Sequence, residues 1–581
     1  SDIYNLQLER PTPLVPSRWR LELAERLDWT GEVIKELDLS EVRSRVTSLV
    51  NQGIDSIAVC LLHSYRNPVH ELEVKRLIES EFPNISVSIS SDISPVWREF
   101  ERTSTTVLNA SLIPVVGKYL DRMVQKASKA EIPASIMIMQ SNGGVMTVAD
   151  IMERPLACVM SGPAGGVAGA AATARALNID QLISFDMGGT SADISVILNG
   201  RPAVREEAYH GEWPIQIDQI DVNSVGAGGG LIAHIGEGGT FLVGPQSAGA
   251  EPGPACYGKG GTQATVTDAN VLLGRIDPDF FSGGLDIDAA KQAVQRRISD
   301  HLGMTIIEAA HGIITINNSV MTAAIRQVLA ERGIVPSEST LLAFGGSGGL
   351  HACTVAQELE IRRVIVPPMA GNFSAWGILQ SDVRYDLVQM MVERVSAVDQ
   401  DRVNRVLAAL TERGARQVST AGISDSDIQT ECYASLSYVG QDYFLKVPVD
   451  YPVRDMDKMA HDFEEAYERS YGHVLEGFAV QLKAMMVSTI GRIPQGVPFQ
   501  SKAVSGSGTA EEKAIKGYHE VYLDDKKSFA RCPTYDRQRF LPGYTLSGPA
   551  VIAEPGATTF ILPGCLAHVD EYQNVVIEMG G

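Results

Sequence analysis

Apolar positions recur every three to four residues over 39–52, 67–82 and 103–129, which predicts helices, the last broken or kinked at Pro114. Short buried or alternating runs at 56–62, 86–90 and 135–140 predict strands between them. The sharpest strand pattern spans 182–198. Leu182-Ile-Ser-Phe-Asp-Met leads into Gly188-Gly-Thr-Ser191, and Ala192-Asp-Ile-Ser-Val-Ile-Leu198 leads away. This predicts a β-hairpin whose turn presents N–H groups and two hydroxyls beside the Asp186 carboxylate. Paired glycines let a backbone approach an anion closely, and successive N–H groups form an anion-binding concavity. A carboxylate at the strand end can hold Mg²⁺ through water. Taken alone, an ordinary glycine turn and a phosphate turn explain these residues equally well.

Around the hairpin the pattern is ordered. Met160-Ser-Gly-Pro-Ala-Gly-Gly-Val-Ala-Gly-Ala-Ala-Ala172 predicts a small-residue helix. Glycine costs about 1 kcal/mol against alanine in a helix interior, so its repetition points to close packing on another backbone. Residues 221–284 are glycine-rich and irregular, and loops of that length in a compact domain are usually functional. Helices return at 288–301 and 306–332. A buried strand at 339–344 then runs into Gly345-Gly-Ser-Gly-Gly-Leu-His351 and a helix through 358, a strand–turn–helix unit with an anion-binding helix start. A strand at 363–369 and a small-residue helix at 370–377 follow. Beyond about 395 come an amphipathic helix at 399–421 and strands at 428–439, 443–449 and 482–490. Residues 501–512 read as a Gly/Ser-rich linker, and 518–578 alternate as in a β-sandwich or barrel. The segment 396–581 is therefore expected to be a separate, mostly β domain.

Composition narrows what these elements can do. With 581 residues the chain is too long for one core, and three or more lobes are expected. A net charge of −21 without any basic cluster argues against nucleic-acid or anionic-membrane partners. No uncharged apolar run reaches the roughly eighteen residues of a membrane span. A polyanionic ligand would have to be held by backbone donors and a divalent metal. Seven scattered cysteines with no Cys-x-x-Cys pair suggest a reducing compartment, so a cytoplasmic protein is expected.

The order of the glycine sites resembles the actin/sugar-kinase/heat-shock-70 ATPases: a first interlobe helix at 161–172, the second phosphate hairpin at 186–190, an adenosine turn at 345–349 and a second interlobe helix at 370–377. The resemblance becomes closer at Glu101-Arg-Thr-Ser-Thr-Thr106, Met139-Gln-Ser-Asn-Gly-Gly144, Phe185-Asp-Met-Gly-Gly-Thr-Ser-Ala-Asp193, Pro252-Gly-Pro-Ala-Cys-Tyr-Gly258, Val266-Thr-Asp-Ala-Asn270 and Phe344-Gly-Gly-Ser-Gly-Gly-Leu-His-Ala352. With these motifs the whole chain resembles the hydantoinase A/5-oxoprolinase family. The resemblance implies an α/β fold, an actin/sugar-kinase/heat-shock-70-like two-lobed ATPase core with a β-rich C-terminal domain. It places the remainder of the N-terminal lobe at 1–95, the ATPase core at 96–395 and the β-rich domain at 396–581.

It further implies an A-type subunit that uses Mg-ATP to phosphorylate the carbonyl oxygen of a cyclic amide (a hydantoin, 5-oxoproline or a related lactam). A hydantoinase B-type subunit would complete ring opening in a hetero-oligomer. The alternatives are a ketone carboxylase subunit, a non-catalytic actin-like switch and a degenerate structural subunit. By resemblance Asp186 binds Mg²⁺ and is catalytic, while Gly188, Gly189, Thr190 and Ser191 hold phosphate. Gly345, Gly346 and Gly348 flank adenosine. Asp193 is either a second metal-shell group or a hairpin residue. Arg102 either stabilises transferred phosphate or pairs with Glu99 or Glu101. Asp268 is taken as catalytic, and both it and His351 border the substrate, unless His351 is satisfied within the core.

Three departures stand out. Asp221-Val-Asn223 replaces an Asp-x-His pair, which puts a metal there in doubt because asparagine is a poor transition-metal ligand. Gly349 replaces a proline and is expected to loosen its turn. No Asp-x-Gly-Gly-Thr motif precedes residue 182 and the chain opens Ser1-Asp-Ile-Tyr4, so the family's N-terminal segment with its first phosphate hairpin is expected to be missing.

Overall fold

A computed structural model describes residues 12–132, 135–205, 207–278, 283–494 and 514–580. The expected linker at 501–512 lies outside the described residues. The chain forms two compact units rather than three or more: one of residues 1–161, 205–219 and 381–494, the other of 162–204, 220–380 and 495–581.

The first unit contains a small α/β layer. Strands Ser56–Val59 and Ser86–Ile89 pair in parallel beside helices Leu39–Val50 and Val69–Glu81. Val42, Val46 and Leu49, spaced three and four apart, supply one wall of its core. Helix Glu99–Lys129 runs through Pro114 without the expected break. Proline removes the N–H that would bond the carbonyl four residues earlier, here that of Ala110. The Ser56 hydroxyl donates to that carbonyl at 2.6 Å, so the orphaned acceptor is satisfied from the neighbouring strand.

A six-stranded sheet completes this unit, in the order Leu445–Pro448, Ile428–Tyr438, Val480–Gly491, Val383–Arg394, Val145–Thr147, Met137–Met139. Strands on either side of residue 380 thus share one sheet. Helix Met456–Tyr471, absent from the sequence expectation, adds Met459, Phe463 and Tyr467 to the same core as Leu407 of helix Gln400–Thr420.

The second unit is built on a nine-stranded sheet. Its path runs Asn223–Val225, Ala192–Leu198, Gln181–Met187, Thr340–Phe344, Arg363–Val366, Val575–Glu578, Leu566–Val569, Thr545–Ser547, with Arg201–Pro202 beside Ala192–Leu198. Gln181–Met187 pairs antiparallel with its hairpin partner and parallel with Thr340–Phe344. That central pair is buried on both faces, which explains its near-continuous apolar sequence. The C-terminal strands therefore extend the sheet that carries the hairpin. A separate four-stranded sheet, Ile515–Leu523, Ser528–Asp536, Ala550–Glu554 and Ala557–Ile561, belongs to the same unit.

The small-residue helices do meet backbone to backbone. Ser161–Leu177 crosses Phe373–Ile378 so closely that a Cβ on Gly169 would lie 3.1 Å from the Gly377 Cα.

Candidate active site: a carboxylate pair at a glycine turn

The hairpin register sets the site. Asp186 and Asp193 are direct cross-strand partners, so their side chains project from the same face, one step before the turn. The Ser374 hydroxyl donates to Asp186 at 3.1 Å. The Ser224 hydroxyl, on the strand that pairs with Ala192–Leu198, donates to Asp193. Burial, reinforced by the neighbouring Asp193 charge, pushes the Asp186 carboxyl up to about 6 despite the Ser374 bond. Burial raises Asp193 as well, against the Ser224 bond. Among the described residues no cationic side chain offsets either shift. Two half-buried carboxylates with this affinity for positive charge, beside oxygen donors, suit a hard divalent cation.

The turn itself is open. A Cβ on Gly188 or Gly189 would meet nothing within 4 Å, while Gly189 and Thr190 are exposed. Gly188 N–H closes the turn on Ser191 O at 3.0 Å. A second glycine run braces it from behind: Gly229 N–H donates to Gly188 O at 3.0 Å and Gly230 N–H to Gly189 O at 2.5 Å. A Cβ on Gly230 would stand 2.9 Å from Gly189 O, so only glycine permits this ladder. Thr190 and Ser247 hydroxyls are 3.2 Å apart on the flank. The glycine-rich segment 221–284 thus shapes the turn.

Gly345 adjoins the pair. Its φ of +80° is a left-handed conformation, and a Cβ there would overlap the Asp186 carboxylate. Gly345 N–H donates to Ala370 O at 2.9 Å, and Ser347 N–H to Met187 O at 3.0 Å, tying the 345–348 turn to the hairpin end. Gly346 is exposed, and Gly348 begins helix Gly348–Glu358. Gly349 has a packing role. It lets that helix rest on strand Ala557–Ile561, where a Cβ would lie 2.9 Å from Thr558 O.

Asp186, Asp193, residues 188–191 and the Gly345, Gly346, Gly348 turn are therefore brought together in the second unit. The other expected residues lie elsewhere. Asp268 is fully buried and has a structural role. It is the third residue of helix Val266–Leu272 and forms a reciprocal capping box with Thr265. Its carboxylate also accepts the Ala255 and Cys256 N–H groups at 3.2 and 2.7 Å. Asp268→Asn is expected to weaken this charge-assisted network and lower stability by about 2 kcal/mol, read as a lower urea midpoint. An unchanged midpoint would contradict the structural role.

Arg102 belongs to the first unit, is 2% exposed, and pairs with neither Glu99 nor Glu101 among the described residues. It donates to Leu61 O at 2.7 Å and lies 5.4 Å from the Tyr65 ring centroid. His351 is satisfied within the core. Its Nδ1–H donates to Asn318 at 2.6 Å, Asn270 donates to Nε2 at 3.3 Å, and complete burial pushes its pKa down to about 3. Asp221 forms an ion pair with Arg332, so that carboxylate is already neutralised. Ser374 and Ser224 were not expected. Ser374 lies in a motif visible in sequence, whereas the pairing of Ser224 with Asp193 depends on a register that only the folded sheet reveals.

A carboxylate pair behind an open glycine turn, joined to a strand–glycine turn–helix unit on one sheet, defines a two-lobed ATPase of the actin/sugar-kinase/heat-shock-70-like class. Comparison with known proteins makes the assignment narrower. The hydantoinase/oxoprolinase model matches residues 102–387, its N-terminal-region model 1–82 and its C-terminal-domain model 392–577. The chain belongs to the hydantoinase/oxoprolinase family. Sequence of the family's N-terminal region is thus present, where the motif reading expected it to be missing.

Caprolactamase subunit alpha of Pseudomonas jessenii is 32% identical over 567 residues, covering 96% of this chain and 81% of that one. The crystal structure of the ATP-dependent caprolactamase from the same organism superposes with a TM-score of 0.85 at 30% identity, over 100% of this chain and 84% of that one. 5-Oxoprolinase 1 of Arabidopsis thaliana is 30% identical over 620 residues; this chain is covered completely but spans only 48% of that protein. The acetophenone carboxylase gamma subunit of Aromatoleum aromaticum is 31% identical, over 95% of this chain and 78% of that one.

Proposed function

We propose that this chain is the ATP-using, A-type subunit of a cyclic-amide hydrolase. The observation that carries the proposal is the Asp186–Asp193 pair behind the open 188–191 turn. An unactivated lactam is a poor electrophile. Attack of its carbonyl oxygen on the γ-phosphorus of ATP, with ADP leaving, turns that oxygen into a leaving group. Water then adds to the former carbonyl carbon, and the ring C–N bond breaks with the nitrogen taking up a proton to leave an acyl phosphate. A second water displaces phosphate to give the carboxylate of the amino acid. Phosphoryl transfer asks of a protein mainly positioning and neutralisation of charge. Gly188, Gly189, Thr190 and Ser191 would hold the phosphates, and Gly345, Gly346 and Gly348 would border adenosine. Asp186, with Asp193, would hold Mg²⁺, which when bound neutralises phosphate charge. Ser374 and Ser224 hold the two carboxylates in place.

A hetero-oligomer with a B-type partner is part of the proposal. The matching relatives in caprolactamase and acetophenone carboxylase are single named subunits, and 5-oxoprolinase 1 is about twice the matched length. A cytoplasmic location is proposed as well, supported by seven free cysteines. No helix among the described residues is long and apolar enough to cross a membrane.

ADP release by the chain with its partner, measured across a panel of lactams and hydantoins, tests the reading. Turnover is expected to depend on one class of cyclic amide and on Mg²⁺; no stimulation by any member would refute it. The likeness to acetophenone carboxylase supports a second reading, a ketone carboxylase subunit, which predicts bicarbonate-dependent turnover instead.

A further inference from the structure

The first unit encloses a cavity of about 210 Å³ that the phosphate turn does not use. Its lining is mostly apolar, with Trp97 on one wall. Most of the charged groups facing it are already matched. Asp386 is held by Arg384 at 3.0 Å, Glu207 by Arg98 at 2.7 Å, Asp92 by Lys75 at 3.0 Å and Asp218 by Lys446 at 3.6 Å. Lys483 is different. It is 5% exposed, and among the described residues its ammonium has neither an ion pair nor a hydrogen bond. Its one close partner is the Trp97 ring, 4.6 Å from Nζ. Arg154 and Arg413 also line the cavity without a carboxylate partner at ion-pair distance among the described residues, and Arg413 is exposed, as a residue at the opening would be.

Asp442 acts on the Lys483 ammonium only from beyond ion-pair distance, and a buried cation without a paired carboxylate is costly and persists where something compensates it. Gln140 adds a second unmatched group. It is 4% exposed; its amide nitrogen donates to Arg384 O at 2.9 Å, while its amide oxygen accepts nothing among the described residues. A cation and a lone acceptor on an apolar cavity call for a ligand with an anion, an N–H and a compact carbon body.

We propose that this cavity binds a compact organic carboxylate that carries an N–H group, with the carboxylate on Lys483, the N–H on Gln140 and the carbon body against Trp97. The inference rests on the cavity and stands apart from phosphoryl transfer. Where the cyclic-amide reading also holds, the ligand is a cyclic amide bearing an acid group or the amino acid formed from it. Neutral lactams are then poor ligands.

Calorimetry on the full chain, without nucleotide, tests it with three probes: 5-oxoproline, glutamate and ε-caprolactam. A carboxylate probe is expected to bind at least tenfold more tightly than caprolactam, and the ratio of 5-oxoproline to glutamate distinguishes the closed from the open form. Lys483→Met is expected to weaken the carboxylate probe about tenfold or more, the range of a hydrogen bond to a charged group, without affecting caprolactam. Lys483→Arg should restore most of the loss. Removing an unpaired buried cation should leave the melting temperature unchanged or higher, which separates lost binding from lost folding. Equal binding of all three probes, no binding of either carboxylate, or an unchanged affinity in a folded Lys483→Met protein would overturn the proposal. Mg-ATP binding, measured in the same samples, reports on the Asp186 site independently.

Discussion

Asp186→Asn is expected to lower nucleotide turnover by at least about a thousandfold, the scale on which groups that neutralise transition-state charge act, and to make the unliganded protein more stable above pH 6. The two effects have one cause. The Asp186 carboxyl is raised from 3.8 to about 6 in the fold, chiefly by burial and then by Asp193. A group whose folded pKa lies above its unfolded value stabilises the fold fully below the unfolded pKa. That contribution is lost as the pH rises through the folded pKa. The window is therefore roughly pH 4 to 6. A shift of about two units corresponds to at most about 3 kcal/mol, less whatever solvent reaches this half-buried group. Asparagine keeps the shape and never ionises. Without divalent cation, the variant should match wild type near pH 4 and exceed it by about 1–3 kcal/mol at pH 8 in urea titrations. Mg-ATP should raise the melting temperature of wild type and leave the variant unmoved. Parallel stability curves from pH 4 to 8 would show that Asp186 is not held as a buried carboxylate.

The parts of this site visible in sequence are those with local causes. The hairpin shows because strand alternation and a glycine pair are short-range signals, and the register places Asp186 opposite Asp193 as the pattern implies. The close helix crossing shows because glycine in a helix needs a steric reason. Other features depend on groups distant in sequence. Pro114 predicts a break until Ser56 is seen to take the carbonyl it leaves unpaired. Asp268 has the residue type and glycine-rich setting of a catalytic acid, yet the N–H groups of Ala255 and Cys256, which no spacing rule places beside it, make it a cap. The glycines at 229 and 230 read in sequence only as part of an irregular glycine-rich segment, whereas their bonds to Gly188 and Gly189 make them the backing of the turn. The boundaries near 95 and 395 cut the chain in sequence order, whereas the compact units interleave such segments because strands from 137–147 and 383–394 share one sheet. Helix Met456–Tyr471 had a readable period in Met459, Phe463 and Tyr467, overshadowed by the strands around it.

Gly377→Ala is expected to cost about 3 kcal/mol or more, at or beyond the upper end of ordinary core overpacking. The added Cβ would overlap the Gly165 carbonyl oxygen and stand 2.7 Å from Gly169 N. Both obstacles are backbone atoms of helix Ser161–Leu177, so no side-chain rotation relieves them, and one helix must move. The short helix Phe373–Ile378 is the one with less to hold it, and it carries Ser374, whose hydroxyl holds Asp186. The folded fraction should therefore also bind Mg-ATP more weakly, although Gly377 itself contacts no ligand group. Gly162→Ala is the control, because it lies on the same long helix and its Cβ would meet nothing within 4 Å. There alanine should be neutral or stabilising by up to about 1 kcal/mol, the helix-propensity difference. Urea midpoints of the two variants, with and without Mg-ATP, distinguish a steric crossing from a general intolerance of alanine. Glycine at the crossing therefore fixes how closely the two helices approach, and a single methyl group there should be felt at the carboxylate.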